Sequence, residues 1–138
     1  MNQEFKLDIR LKNDGEVIAE LDLCKLILVN NANFPWVILV PKYNNLKEII
    51  DLTKENQILL MNEISYISTI MKELFQPDKL NVAALGNIVS QLHVHIIARF
   101  KNDAAWPDPV FGKSKESHNK EKYLAIIKKI QEKINLIS

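Results

Sequence analysis

Gln91, His93 and His95 alternate with Leu92, Val94 and Ile96 in the segment Gln91-Leu92-His93-Val94-His95-Ile96-Ile97. Successive side chains of a β-strand point to opposite faces, so this pattern predicts a strand with the polar residues on one surface and the aliphatic ones inside. The imidazoles then stand about 7 Å apart, two residues along a rigid element. Imidazole is a nucleophile and a general acid or base near neutral pH, and such a pair supports nucleophilic or proton-transfer chemistry. Two other readings fit the same residues: the solvated face of an antiparallel strand, and a pair of metal ligands. Ligand count weighs against metal. The only other histidine is His118 and the only thiol is Cys24, neither at a recognised ligand spacing, so no metal and no cofactor are expected.

The elements that must hold these residues are those of one α+β domain over residues 1–138, an antiparallel sheet of about five strands with two main helices. Residues 5–11 and 17–20 alternate around Asn13-Asp14-Gly15, a hairpin-turn signal. Further strands are predicted over 24–29, 36–41, 80–85 and 92–99. Thr53 is positioned to cap a helix that buries Leu60, Ile64, Ile67, Met71 and Leu74 at spacings of four and three, and Pro77 ends it. A loop over 101–117 contains Ala105-Trp106-Pro107-Asp108-Pro109-Val110-Phe111. Trp106 and Phe111 either reach the histidines or a partner subunit, or cover their own sheet. The last helix is predicted over 119–136, with Tyr123, Ile127, Ile130 and Ile134 inward.

Composition narrows the class. At 138 residues and 47% hydrophobic, the chain supports one core and not two. A single cysteine rules out an intramolecular disulfide framework and fits a reducing cytoplasm. No apolar run approaches about 18 residues, and Met1-Asn2-Gln3-Glu4 does not begin a signal peptide, so no membrane association is expected. A net charge of +1 gives no general attraction to nucleic acid. The lysines of the last helix read as its solvated face.

The stretch from Gly86-Asn87 to Arg99-Phe100, with Asn30 after Leu28-Val29 and Trp36-Val37-Ile38-Leu39-Val40-Pro41-Lys42 after Phe34-Pro35, resembles the histidine triad (HIT) superfamily. The family motif is His-φ-His-φ-His-φφ, with φ apolar, and the resemblance runs in the family's order from Cys24 to Phe100. It implies a HIT-like fold, a nucleotide or dinucleoside polyphosphate substrate, and a homodimer. His93 falls at the nucleophile's position and His95 at the third. Gln91 stands in place of the first histidine, and Trp36 in place of a further histidine found in many members.

By this resemblance, His93 attacks the α-phosphorus of a nucleoside phosphoanhydride or phosphoramidate and forms a nucleotidyl-imidazole that water hydrolyses. Its other ring nitrogen is expected to donate to a backbone carbonyl near Gly86 or Asn87. His95 is expected to donate to a phosphate oxygen, and Gln91 to offer an amide donor without shuttling a proton. Replacing Gln91 by His is expected to raise turnover. Asn87 is read either as a phosphate or leaving-group contact or as a turn residue, and Asn30 either as a ribose contact or as loop chemistry. Trp36 either walls the pocket or belongs to the core. The leading reading is a hydrolase or transferase. A catalytically weak nucleotide-binding module of the same fold, or an interaction protein using the Trp106 loop, are the alternatives.

Overall fold

A computed structural model describes residues 4–137. The first element departs from the predicted hairpin. Asp8 accepts a hydrogen bond from the Arg10 N–H and caps a short helix, α1 (Ile9–Asp14), which buries Leu11. Asn13-Asp14-Gly15 is therefore the junction from this helix into strand β1 (Gly15–Glu20), not the turn between two strands. Gly15 is needed for close approach: a Cβ there would lie 1.9 Å from the carbonyl oxygen of Leu28.

The remaining elements follow the sequence closely. Strands β2 (Cys24–Val29) and β3 (Trp36–Pro41) are the two aliphatic runs. Thr53 caps helix α2 (Lys54–Phe75), which ends with Gln76 in the left-handed region, just before Pro77. Strands β4 (Lys79–Ala83) and β5 (Val94–Arg99) precede the last helix, α3 (Lys120–Ile137). All pairings are antiparallel, in the order β1-β2-β3-β5-β4. Among the described residues, no helix is long and apolar enough to cross a membrane.

Both faces of this sheet are covered, so β5 is buried throughout and β2 and β3 are buried at all but Lys25 and Trp36. On one face, Leu26, Leu28, Val37, Leu39, Val94 and Ile96 pack against Leu60, Ile64, Ile67 and Met71 of α2 and Tyr123, Ile127 and Ile130 of α3. Leu74 and Ile134 are only partly buried there. The Tyr123 hydroxyl ties α3 to the sheet, donating to the Leu28 carbonyl at 2.6 Å and accepting from the Glu16 N–H at 2.9 Å. The opposite face carries Ile27, Val29, Ile38 and Val40 under Leu11 and Val89, and Ile97 under Phe34, Ala105 and Val110. His95 shares this loop-covered face.

The histidine strand is shorter than its alternation predicts. Pairing begins at Val94, because the Leu92 N–H donates to the Leu46 carbonyl outside the sheet. His93 and Gln91 consequently lie in the irregular segment leading into β5.

Candidate active site

His95 is the better anchored of the two imidazoles. It stands opposite Ile38 in the β3–β5 ladder, and Trp36, two residues along β3, reaches it diagonally. The Trp36 indole Nε1–H donates to His95 Nδ1 at 3.0 Å. An indole nitrogen only donates, so Nδ1 of His95 is the unprotonated nitrogen and Nε2 carries the hydrogen. Burial, reinforced by the neighbouring His93, pushes the His95 pKa down to about 4. At neutral pH His95 is an uncharged donor. Phe111 meets its ring edge-to-face at a centroid distance of 5.0 Å and meets Trp36 at 5.7 Å.

His93 has the complementary tautomer. Its Nδ1 lies 2.6 Å from the backbone carbonyl of Gln91, an acceptor only, so Nδ1 holds the proton and Nε2 keeps its lone pair. The expected acceptor near Gly86 or Asn87 is thus replaced by Gln91. The chain leaves the strand before His93, which folds the Gln91 carbonyl back onto the ring. The two imidazoles are 4.8 Å apart between centroids, inclined at 73°.

Both polar atoms of the Gln91 amide are engaged with backbone groups. Its Oε1 accepts from the Asp8 N–H at 2.8 Å and its Nε2 donates to the Lys6 carbonyl at 2.9 Å. The expected phosphate donor is instead a latch that fastens the amino-terminal segment to the residue holding His93. Arg10 adds a second tie, donating to the Ile88 carbonyl at 3.0 Å while ion-paired with Asp8 at 2.9 Å. Arg10's hydrogen bonds bring the Asp8 pKa down to about 2, and His93 contributes in the same direction.

A cleft of about 500 Å³ opens over the two histidines, with Trp36, Asn31, Asn87 and Phe111 in its lining. A smaller cavity of about 280 Å³ shares Leu85, Gly86 and His93 with it and includes Gln91. The larger cleft is the candidate substrate site, because both imidazoles line it. Asn30 does not line it; its Oδ1 accepts from the His118 N–H at 2.8 Å. Asn31, next in sequence and 4% exposed, lines the cleft instead. Gly86 turns the chain at this wall with φ of 80°, a conformation that favours glycine. Among the described residues, no group of three or more His, Cys, Asp or Glu could hold a metal ion.

The family model of the HIT domain matches residues 10–102. The chain belongs to the HIT family. Similar solved structures include a histidine triad protein from Bradyrhizobium japonicum, 46% identical, covering 96% of this chain and 99% of that one, with a TM-score of 0.93. A histidine triad protein from Marinobacter aquaeolei is 42% identical over 99% of this chain and all of its own, with a TM-score of 0.94. The diadenosine triphosphate hydrolase of Plasmodium falciparum, solved with cyclomarin A, shares the fold at 21% identity and a TM-score of 0.64, over 97% of this chain and 84% of its own. No curated protein matches the chain.

In this HIT protein the loop after β5 is drawn over the site by a buried ion pair that the sequence reading missed. Arg99 donates to Asp103 through Nε at 2.8 Å and Nη2 at 3.1 Å, to Asn81 Oδ1 at 2.8 Å, and to the Asp108 carbonyl at 2.8 Å. Its guanidinium lies between the Phe34 and Trp106 rings, at 5.6 and 5.8 Å. Burial alone would raise the Asp103 carboxyl. The Arg99 bond and backbone N–H groups of Phe100, Ala105 and Trp106 outweigh it and hold the carboxyl well below the usual carboxylate range. Trp106 thus covers Arg99 of its own chain, while Phe111 reaches His95. The available signal was an arginine closing an otherwise apolar strand, with an aspartate four residues later.

Proposed function

We propose that this HIT protein is a nucleotide hydrolase or transferase that cleaves a nucleoside phosphoanhydride or phosphoramidate, dinucleoside polyphosphates included, through a nucleotidyl intermediate on His93. The observation that carries this reading is the opposite tautomers of the two imidazoles. His93 offers an Nε2 lone pair, and its Nδ1–H already points at the Gln91 carbonyl that stabilises the imidazolium formed on attack. His95 offers an Nε2–H donor beside it, suited to a phosphate oxygen that gains charge in the transition state. Asn31 and Asn87 in the same cleft are candidates for further polar contacts with the nucleotide.

His93→Ala is expected to lower turnover at least a few hundred-fold while nucleotide affinity stays within about tenfold. The direct check is mass spectrometry of protein quenched during turnover, with the nucleotidyl adduct located on His93. An alanine variant that retains activity would refute the mechanism. A second reading, a nucleotide-binding module with slow turnover, draws support from the engagement of Gln91 with the backbone. It predicts tight nucleotide binding without an adduct.

The proposal includes a homodimer. Strand β4 is an edge of the sheet, with Val82 48% exposed on it, and an open edge with an exposed valine invites pairing with a second copy. Light scattering at micromolar concentration is expected to give twice the chain mass of 15.9 kDa, and a monomer mass would refute this part.

A further inference from the structure

We infer that Asn44, in the turn that follows β3, is a positioning residue for His93. This rests on the reading of His93 as the nucleophile and adds to it a side chain that lines neither cavity.

The peptide unit between Gln91 and Leu92 supports the His93 ring, and both of its polar ends are engaged. Its carbonyl oxygen lies 2.6 Å from His93 Nδ1, and its N–H donates to the Leu46 carbonyl at 2.9 Å. A peptide unit is planar, so fixing the donor at one end directs the acceptor at the other. The Leu46 bond also polarises the unit, which makes the carbonyl a better acceptor for Nδ1–H. The turn that carries Leu46 is anchored at the end of β3, where the Lys42 N–H donates to the Leu23 carbonyl and the Tyr43 N–H to the Pro41 carbonyl, each at 2.9 Å. Asn45 completes it in the left-handed region with φ of 64°, a conformation asparagine adopts more readily than most residues.

The same turn reaches Gln91 by a second route. Asn44 Oδ1 accepts from the Lys6 N–H at 3.0 Å, and its Nδ2 donates to the Glu4 carbonyl at 2.9 Å. Gln91 grips the next stretch in the same way, through the Lys6 carbonyl and the Asp8 N–H. In an extended chain alternate residues present their N–H and C=O groups to one edge, so Glu4, Lys6 and Asp8 face the two amides. Phe5 and Leu7 pack against the cluster of Ile27, Val29, Ile38 and Val40. Among the described residues, 4–7 make no backbone–backbone hydrogen bond, so the two side-chain amides do the work of a neighbouring strand.

Lys6 is shared between them, its N–H on Asn44 and its carbonyl on Gln91. Losing the Asn44 bonds therefore releases the residue that holds the Gln91 amide. The cleft wall formed by α1 is tied separately, through Arg10 on the Ile88 carbonyl and the buried Leu11. The loss thus falls on placement of the nucleophile and not on nucleotide binding.

The test is a double-substitution cycle on the intact protein, with diadenosine tetraphosphate as the probe substrate and nitrogen-15 NMR of the His93 ring as a second readout. Asn44→Ala is expected to lower kcat about fivefold with KM within about twofold. In a Gln91→Ala background the same substitution is expected to change kcat by less than about twofold, because the segment is already free of Gln91. Asn44→Asp still accepts from Lys6 but cannot donate to Glu4, and is expected to fall between native and alanine. In the ligand-free protein, Asn44→Ala is expected to raise the share of the Nε2–H tautomer of His93 at least about threefold. A full fivefold loss repeated in the Gln91→Ala background would overturn the inference, since the two amides would then act separately. An unchanged tautomer ratio in Asn44→Ala would overturn it while leaving the nucleophile in place. Turnover of the tetraphosphate by the native protein without an adduct on His93 would overturn the nucleophile reading, and this inference with it.

Discussion

The two imidazoles sit 4.8 Å apart and are held by different kinds of structure. His95 belongs to the sheet: it occupies a register position opposite Ile38, its own strand is buried throughout, and its ring is fixed by Trp36 from the adjacent strand. His93 lies outside the ladder, and its position depends on the Gln91 carbonyl. Gln91 is in turn fastened to residues 83 and 85 positions away in sequence. Sheet pairing fixes a side chain through many cooperative contacts, whereas the latch relies on two hydrogen bonds to an amino-terminal segment. The imidazole proposed as hydrogen-bond donor is built into the fold, and the proposed nucleophile is tethered to it. Substitutions in the two regions should therefore fail differently.

The largest effect is expected on the sheet side. Asp103→Ala would leave Arg99 with its principal partner gone in a site where its side chain is 2% exposed. Breaking a buried pair by removing one partner costs about 3–5 kcal/mol, and denaturant unfolding should register a loss of that size. The loop carrying Phe111 should loosen at the same time, and near-ultraviolet circular dichroism of Trp36 and Trp106 should weaken. A loss below about 1 kcal/mol would show that the clamp is not what holds the loop.

Acid titration probes the same wall. In the unfolded chain His95 takes a proton near pH 6.5, and in the folded protein only near about 4, so between these values the unfolded state binds more protons. The associated stability is complete above pH 6.5 and is lost as pH falls towards 4, amounting to roughly 3 kcal/mol. Unfolding free energies of the native protein and His95→Gln, measured across that window, should converge by about this amount. Parallel pH profiles would mean that His95 is not held neutral by burial.

Legibility in the sequence followed the same division. Strands β2 and β3, the Thr53 cap and the inward face of α3 were all readable, because aliphatic runs, caps and helical spacing report local structure directly. The Asn13-Asp14-Gly15 signal misled: Asp8 caps a helix just before it, and the hairpin competes with a cap that costs only one residue's reach. His93 and His95 were legible as a chemical pair, since two imidazoles two residues apart stand out in any context. The roles of Gln91, Asn30 and Arg99 were not. Gln91 and Asn30 are decided by partners distant in sequence, the Lys6 carbonyl and the His118 N–H, which no local pattern encodes; for Arg99 the aspartate four residues on was the one local signal, and its bond to Asn81 had none.

Gln91 gives the smallest and most discriminating effect. Gln91→Ala removes both latch bonds, at about 0.5–1.5 kcal/mol each, but leaves the backbone carbonyl that receives His93 Nδ1–H. Stability should fall by about 1–3 kcal/mol. Turnover should fall roughly tenfold through looser placement of the nucleophile, while nucleotide affinity changes less, since Gln91 does not line the larger cleft. The structure also reverses the expectation for Gln91→His. An imidazole at 91 cannot both accept from Asp8 and donate to Lys6 with the reach of the amide, so the gain of an ionisable group comes with a released amino-terminal segment, and turnover is expected to fall as in the alanine variant. Steady-state kinetics on both variants, with urea unfolding as the control for the latch, decides the matter. Higher turnover in Gln91→His at unchanged stability would show that the latch is dispensable and that His93 is held by the sheet after all.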